Sequence, residues 1–196
     1  MIPDGYTDLA PGKIAAVVTY LEMLECPRDT STPSPSLSLR QVQNPSLKWY
    51  REIFRRAGEQ WLWWSRIEMT EAQLTAVLNV QTNEVFIAEN NGVEVGMAEL
   101  DRSQPGQVEI AFFGLYPEWV GKGLGRLFMN ALLQRAWSAA ASRVWVHTCT
   151  LDSPAALPFY VKCGFRPYKR AVEVADDPRS RGVLPESAAP QIPIIR

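Results

Sequence analysis

Gly121, Gly123 and Gly125 stand at alternate positions in Val120-Gly121-Lys122-Gly123-Leu124-Gly125-Arg126, with Lys122 and Arg126 among them. Glycine reaches positive φ at no steric cost and has no Cβ to block an approaching group. A run that reads as a strand, 108–115, precedes this stretch, and a run that reads as a helix, Leu124 to about Ala140, follows it. The first N–H groups of a helix lack internal partners and sit at the positive end of its dipole. Strand, glycine turn and helix N-terminus together make a site for phosphate or pyrophosphate.

Three familiar phosphate motifs do not fit. The dinucleotide pattern Gly-x-Gly-x-x-Gly requires glycine where Arg126 stands, and the nucleotide P-loop requires Ser or Thr where Gly123 follows Lys122. A kinase loop requires a lysine-bearing strand and a distal catalytic loop, and neither occurs. Other reactive side chains are few. His147 is the chain's one histidine, so a multi-histidine metal site is unavailable. It falls in the alternating run Val144 to Cys149 and reads as a strand histidine satisfied by its neighbours. Cys26, Cys149 and Cys163 are odd in number and widely spaced, which argues against a disulfide framework and fits a reducing cytoplasm. Cys149 and Cys163 read as small core residues.

The elements that must hold the glycine turn can be read from periodicity. With 196 residues, 46% of them hydrophobic, the chain suits a single domain, here placed at 1–174. A net charge of −1 offers no footprint for nucleic acid. No stretch has the apolar length of a membrane span, and the N-terminus lacks a signal-peptide core. Strands are expected at 14–23, 85–89, 94–101, 108–115, 144–148 and 165–174, with a short extended piece near 39–42. The pair 85–89 and 94–101 is joined through Asn91-Gly92, a strong hairpin signal. Helices are expected at 46–64, 70–79, 124–140 and 153–162. Thr70 and Gln73 match a capping box, and Ser153-Pro154 reads as a cap with proline at the first helical position, although Pro158 disfavours so early a start. Residues 26–38 form a loop rich in Pro, Ser and Thr. Residues 175–196, with four prolines, read as an extended tail. The order is α/β in the α+β sense: an antiparallel meander leading into a β–α–β crossover.

Within this frame the segment EIAFFGLYPEWVGKGLGRLFMNALLQRA, residues 109–136, resembles the acyl-CoA-binding core of the GNAT superfamily of N-acetyltransferases. The later segment SPAALPFYVKCGFRPY, residues 153–168, resembles the family's second signature, in which a helix tyrosine precedes Lys-x-Gly-Phe. The two arrive in the family's order and at its usual separation. The close match covers roughly residues 85–170. Two positions depart from the pattern: Val120 stands where arginine or glutamine is usual, and Ser153 where asparagine often opens the helix.

The resemblance implies a mixed, mostly antiparallel twisted sheet flanked by helices, with a V-shaped splay of strands that holds CoA. It implies acetyl-CoA as co-substrate, with no metal, and transfer to a primary amine of a small molecule or peptide. It leaves a homodimer open. The cofactor would meet Leu115, Tyr116, Val120, Gly121, Lys122, Gly123, Leu124, Gly125, Arg126, Ser153 and Tyr160. Tyr160 corresponds to the tyrosine that protonates the leaving thiolate. Glu109, in Glu109-Ile110-Ala111-Phe112, corresponds to the general base of the histone-acetylating branch, with Glu99 or Asp101 acting through water as the alternative. Trp61 and Trp64, with Glu99, fall where the acceptor side of the cleft is shaped. A module of the same fold that binds CoA or a protein but transfers little is the competing expectation.

Overall fold

Apolar residues at alternate positions of Lys13–Met23 bury one edge of the run after another, the signature of a strand packed on both faces at its far end. A computed structural model describes residues 4–27, 36–137 and 140–196 of the chain. Strand β1 spans Lys13–Met23, β2 Leu37–Val42, β3 Asn83–Asn90, β4 Val93–Asp101, β5 Gln107–Leu115, β6 Arg143–Cys149 and β7 Arg166–Asp176. The helices are α1 Leu47–Gly58, α2 Ser65–Glu68, α3 Glu71–Leu78, α4 Leu124–Ala136 and α5 Ala156–Lys162. All seven strands join one sheet in the order β2-β3-β4-β5-β6-β1-β7. Every neighbouring pair is antiparallel except β5 and β6.

The order contains one placement that element spacing did not reveal. Strand β1 crosses to the far half of the sheet and pairs with β6 on one side and β7 on the other. The crossover from β6 through α5 to β7 therefore skips one strand position, and β1 fills it.

Helices α4 and α5 pack on one face of the sheet around Phe128, Met129, Leu132, Tyr160 and Phe165. Helices α1 and α3 pack on the other around Tyr50, Phe54, Leu74, Ile87 and Met97. The meander is as expected: Asn91 and Gly92 take φ of 51° and 80°, the two positive values that a tight hairpin turn requires. The Thr70–Gln73 capping box forms at the start of α3. Among the described residues no helix is long and apolar enough to cross a membrane.

Three helix boundaries differ from expectation, each for a local reason. The run expected as one helix over 46–64 stops at Gly58, tightens into a single 3-10 turn, and breaks at Leu62, which is left-handed at φ 54°. Helix α5 begins at Ala156 instead of Ser153, so Pro158 lies in its first turn, where no N–H is needed for an internal bond. Helix α4 ends at Ala136, where Arg102 donates to the carbonyls of Arg135 and Ala136 and satisfies the helix terminus. The loop expected over 26–38 lies largely outside the described residues.

Residues 177–196 contain no helix or strand, yet they are bound to the domain. Arg179 is buried and forked onto Asp177 through Nε at 3.0 Å and Nη2 at 2.8 Å. Its Nη1 donates to the carbonyls of Ala188, Ala189 and Ile192. One guanidinium thus draws the segment into a strap that packs Leu184, Ala188 and Ala189 on Ile14, Ala16, Leu62 and Leu151. Replacing Arg179 with alanine leaves Asp177 buried and unpaired, so folding stability should fall by about 3 kcal/mol. Urea denaturation checks this, and an unchanged midpoint would show that the strap contributes nothing to the fold.

Candidate active site

An extra residue in β5 creates the site. Across the β4–β5 ladder Glu99 faces Phe112 and Leu100 faces Ile110, so Ala111 is bulged out of register. A bulge bends its strand and re-aims the side chains beyond it. The parallel ladder between β5 and β6 runs from Gln107↔Arg143 to Ile110↔Val146 and ends at the bulge. Past it the two strands diverge, and a cavity of about 450 Å³ opens between them. Successive residues of a strand direct their N–H groups to opposite edges. Tyr116 N–H bonds Val95 O of β4 at 2.9 Å, so the Leu115 N–H faces the opening.

At one end of the cavity stand Val120 and Gly125, which bracket the glycine turn. Gly121 and Gly123 have φ of 81° and 78°, and a Cβ built on either would meet nothing within 4 Å. The demand for glycine here is conformational, and the space above the turn is open. Gly123 caps α4 without a side-chain hydrogen bond, so the first N–H groups of that helix remain available to an anion. Lys122 lies over the Trp119 ring at 4.6 Å, and Arg126 donates to Lys162 O at 2.5 Å, tying α4 to the end of α5. Val120, exposed and on the cavity wall, offers an apolar surface where a polar residue was usual.

Tyr160 and Phe159 of α5 line the middle of the cavity together with Phe113 and Leu115. Burial, reinforced by the nearby Asp152 charge, pushes the Tyr160 phenol far up, so it stays protonated at neutral pH. The Cys149 thiol is pushed up to about 11 for the same reasons, which leaves it a poor nucleophile. Ser153 accepts from Ala155 N–H at 3.3 Å and lies on the cavity wall.

The other end is walled by Trp61, Leu62, Trp63, Trp64 and Leu151. The left-handed Leu62 folds the chain back so that Trp63 N–H bonds Gly58 O at 3.0 Å. A Cβ at Gly58 would lie 2.2 Å from the Trp63 ring, so only glycine admits this packing. The Trp63 indole then spans the opening and donates to Asp152 Oδ1 at 3.2 Å, while Asp152 Oδ2 accepts from Thr148 and the Cys149 N–H. His147 and Glu173 complete this end. Glu109 lies behind the wall, its Oε1 3.3 Å from His147 Nδ1. That contact and the surrounding carboxylates raise the imidazole pKa above its ordinary value.

Besides Glu109, the expected residues Gly121, Lys122, Gly123, Leu124 and Arg126 stand off the cavity wall, and two more are buried away from it. Glu99 is fully buried off the cavity and accepts from Tyr50 Oη and, at 2.5 Å, from Arg66. Both carboxylate oxygens are engaged, so it acts as an anchor between the sheet and α1–α2 instead of touching an acceptor. Tyr116 is buried beneath the Arg56 guanidinium, 3.9 Å from its ring, and also lies off the wall. Conversely, Trp63, Asp152, His147 and Glu173 reach the cavity without having been expected there. The clustering of tryptophans at 61–64 was the only signal for Trp63, and nothing local singled out Asp152 or Glu173.

The family model described as the acetyltransferase (GNAT) family matches residues 45–165. The chain belongs to the GNAT family of acetyltransferases. Solved structures agree on the fold. A functionally unknown conserved protein from Staphylococcus epidermidis is similar with a TM-score of 0.55 at 15% identity, over 85% of this chain and 64% of that one. A GNAT acetyltransferase from Elizabethkingia anophelis with acetyl-CoA bound is similar with a TM-score of 0.53 at 15% identity, over 69% of this chain and 80% of that one. An aminoglycoside acetyltransferase from an uncultured soil metagenomic sample, in complex with sisomicin, is similar with a TM-score of 0.51 at 19% identity, over 64% and 86%. Among proteins of curated function none matches this chain. The matched family segment begins after β1 and β2 and ends before β7, so the strand that fills the gap between β6 and β7 lies outside it.

The placement of Glu99 can be checked directly. Glu99→Gln should lower folding stability by about 3 kcal/mol, because the half-buried Arg66 loses its charged partner. Ligand affinity of the folded fraction should be unchanged, and weakened affinity at unchanged stability would return Glu99 to the site.

Proposed function

We propose that this GNAT acetyltransferase transfers the acetyl group of acetyl-CoA directly to a primary amine carried by a small molecule or peptide. One observation carries the reading: one cavity is lined by Val120 and Gly125, which flank the glycine turn, by Tyr160, and by the Trp61–Trp64 wall with Asp152 and Glu173. Donor and acceptor would meet in one space, as a direct transfer needs.

The residues fit acetyl-CoA. The backbone of 121–126 suits the pyrophosphate through N–H groups and the α4 dipole, and the Phe113, Leu115 and Val120 surfaces suit the pantetheine arm. Loss of a polar side chain at position 120 weakens this binding less than loss of the backbone geometry would. Acetyl-CoA supplies the acyl group as a thioester. The Leu115 N–H, facing the opening, would polarise the thioester carbonyl. Tyr160, held neutral by burial, would give its proton to the departing thiolate. Trp61 and Trp64 offer aromatic walls to the acceptor, and the aminoglycoside complex among the structural neighbours is consistent with an amine-bearing small molecule.

Acetyl-CoA should raise the midpoint of thermal unfolding, by about 2.7 kcal/mol of linkage when present at a hundred times Kd. Gly123→Glu should abolish that shift through backbone strain and charge repulsion, and an intact shift would remove the proposed phosphate site. Thiol release with a panel of primary amines tests the transfer itself. On an amine that supports turnover, Tyr160→Phe should lower kcat by roughly a hundredfold with little change in acetyl-CoA affinity. If affinity collapses and kcat does not, Tyr160 is a binding residue.

A further inference from the structure

The carboxylate expected to act as base does not reach the cavity, and the histidine in front of it does. Glu109 projects from β5 toward β6, where its Oε1 lies 3.3 Å from His147 Nδ1, and His147 is on the cavity wall. A neutral imidazole whose Nδ1–H is given to a carboxylate has its lone pair on Nε2. We propose that His147 is the general base of acetyl transfer, accepting a proton from a cationic primary amine at Nε2, and that Glu109 is the positioning residue that sets its tautomer. The inference rests on the acetyl-transfer reading above.

The groups packed around His147 support this assignment. From β5 comes Glu109. From β7 Glu173 reaches the same wall, and from the β6–α5 loop comes Asp152, both adding negative potential. From β1 the Tyr20 ring lies 5.6 Å from the imidazole, and Lys169 of β7 sits over that ring at 4.7 Å. Along β6 itself, Trp145 is a tilted neighbour at 6.3 Å, and Cys149 keeps its proton. The nearby cation Arg143 is engaged by Glu22 at 2.7 Å. Three carboxylates therefore face or back one imidazole, while the neighbouring cations are directed onto other partners. Such a wall attracts an ammonium and favours moving its proton onto the ring.

The steps balance. His147 Nε2 takes one proton from R–NH₃⁺, leaving the amine with a free lone pair. The amine nitrogen bonds to the thioester carbonyl carbon, the C–S bond breaks with its electron pair leaving on sulfur, and Tyr160 protonates that thiolate. The nitrogen sheds its second proton to restore the phenol, and His147 returns the first to solvent. Only neutral His147 can act, so turnover rises with pH through the raised imidazole pKa and falls away below it.

Because the chain has one histidine, its imidazole can be titrated alone by proton–carbon NMR in the full-length protein. The titration should lie above the ordinary value of about 6.5 and move down in Glu109→Gln. An imidazole that titrates identically in both proteins would overturn the pairing. On an amine that passes the thiol-release assay, His147→Gln should lower kcat about a hundredfold, with acetyl-CoA affinity retained. It should also erase the low-pH limb of the rate profile. Glu109→Gln should shift that limb to lower pH, and added imidazole should partly restore His147→Ala. Wild-type turnover and an unaltered limb in His147→Gln would overturn His147 alone. Absence of thiol release from the unaltered protein with every amine would instead overturn the transfer reading, and the proposal with it.

Discussion

The bulge at Ala111 is the constraint on which the molecule depends. A regular β5 would continue its parallel ladder with β6 beyond Ile110, and the two halves of the sheet would close. One extra residue ends the pairing, bends the strand and exposes backbone N–H groups to the gap. It also changes which face each later side chain serves. Phe112 turns to α1, 4.7 Å from Phe54, and Phe113 turns to α4, 4.5 Å from Phe128. The two phenylalanines pin the diverging strand from both sides, so the gap is held open by packed core and not by a mobile loop.

Each half of the sheet needs its own support once they part. On the near side the buried set Tyr50, Glu99 and Arg66 links α1, β4 and α2, and Trp63 crosses the opening to Asp152. On the far side β1 supplies the strand between β6 and β7, and the strap at 177–196 packs over its beginning. Leu62 and Leu151, both on the cavity wall, belong to the same cluster as the strap. The first strand and the strap therefore brace the Leu62 and Leu151 side of the cavity, whereas the proposed donor side draws on the continuous segment 107–136.

Opposite electrostatic environments divide the cavity. Tyr160 packs against the rings of Phe113, Phe159 and Phe165, where ionisation is penalised, and so stays protonated. His147 is half-exposed among carboxylates, where the protonated form is favoured. A phenol that stays neutral and an imidazole that takes a proton readily are the two environments that the proposed acyl transfer to an amine calls for.

Local rules were sufficient wherever a function depends on contiguous residues. Gly121 and Gly123 permit the positive φ values of the turn, Asn91-Gly92 those of the hairpin, and Thr70 with Gln73 the start of α3. Tyr160, in a segment with its own signature, lies on the cavity wall. Residues outside such segments were misplaced or missed. Glu99 and Glu109 sit on neighbouring strands with similar local patterns, but one is sealed by Tyr50 and Arg66 while the other backs His147. The difference arises from pairing across 49 residues in one case and from the parallel register of β5 with β6 in the other. Sequence alone determined the family, most of the elements and the glycine turn, because those follow from backbone conformation and short-range periodicity. Only the tertiary structure decided where β1 lies, which carboxylate meets the cavity and how His147 is partnered, because these depend on strand order and on a one-residue shift of register that no local pattern encodes.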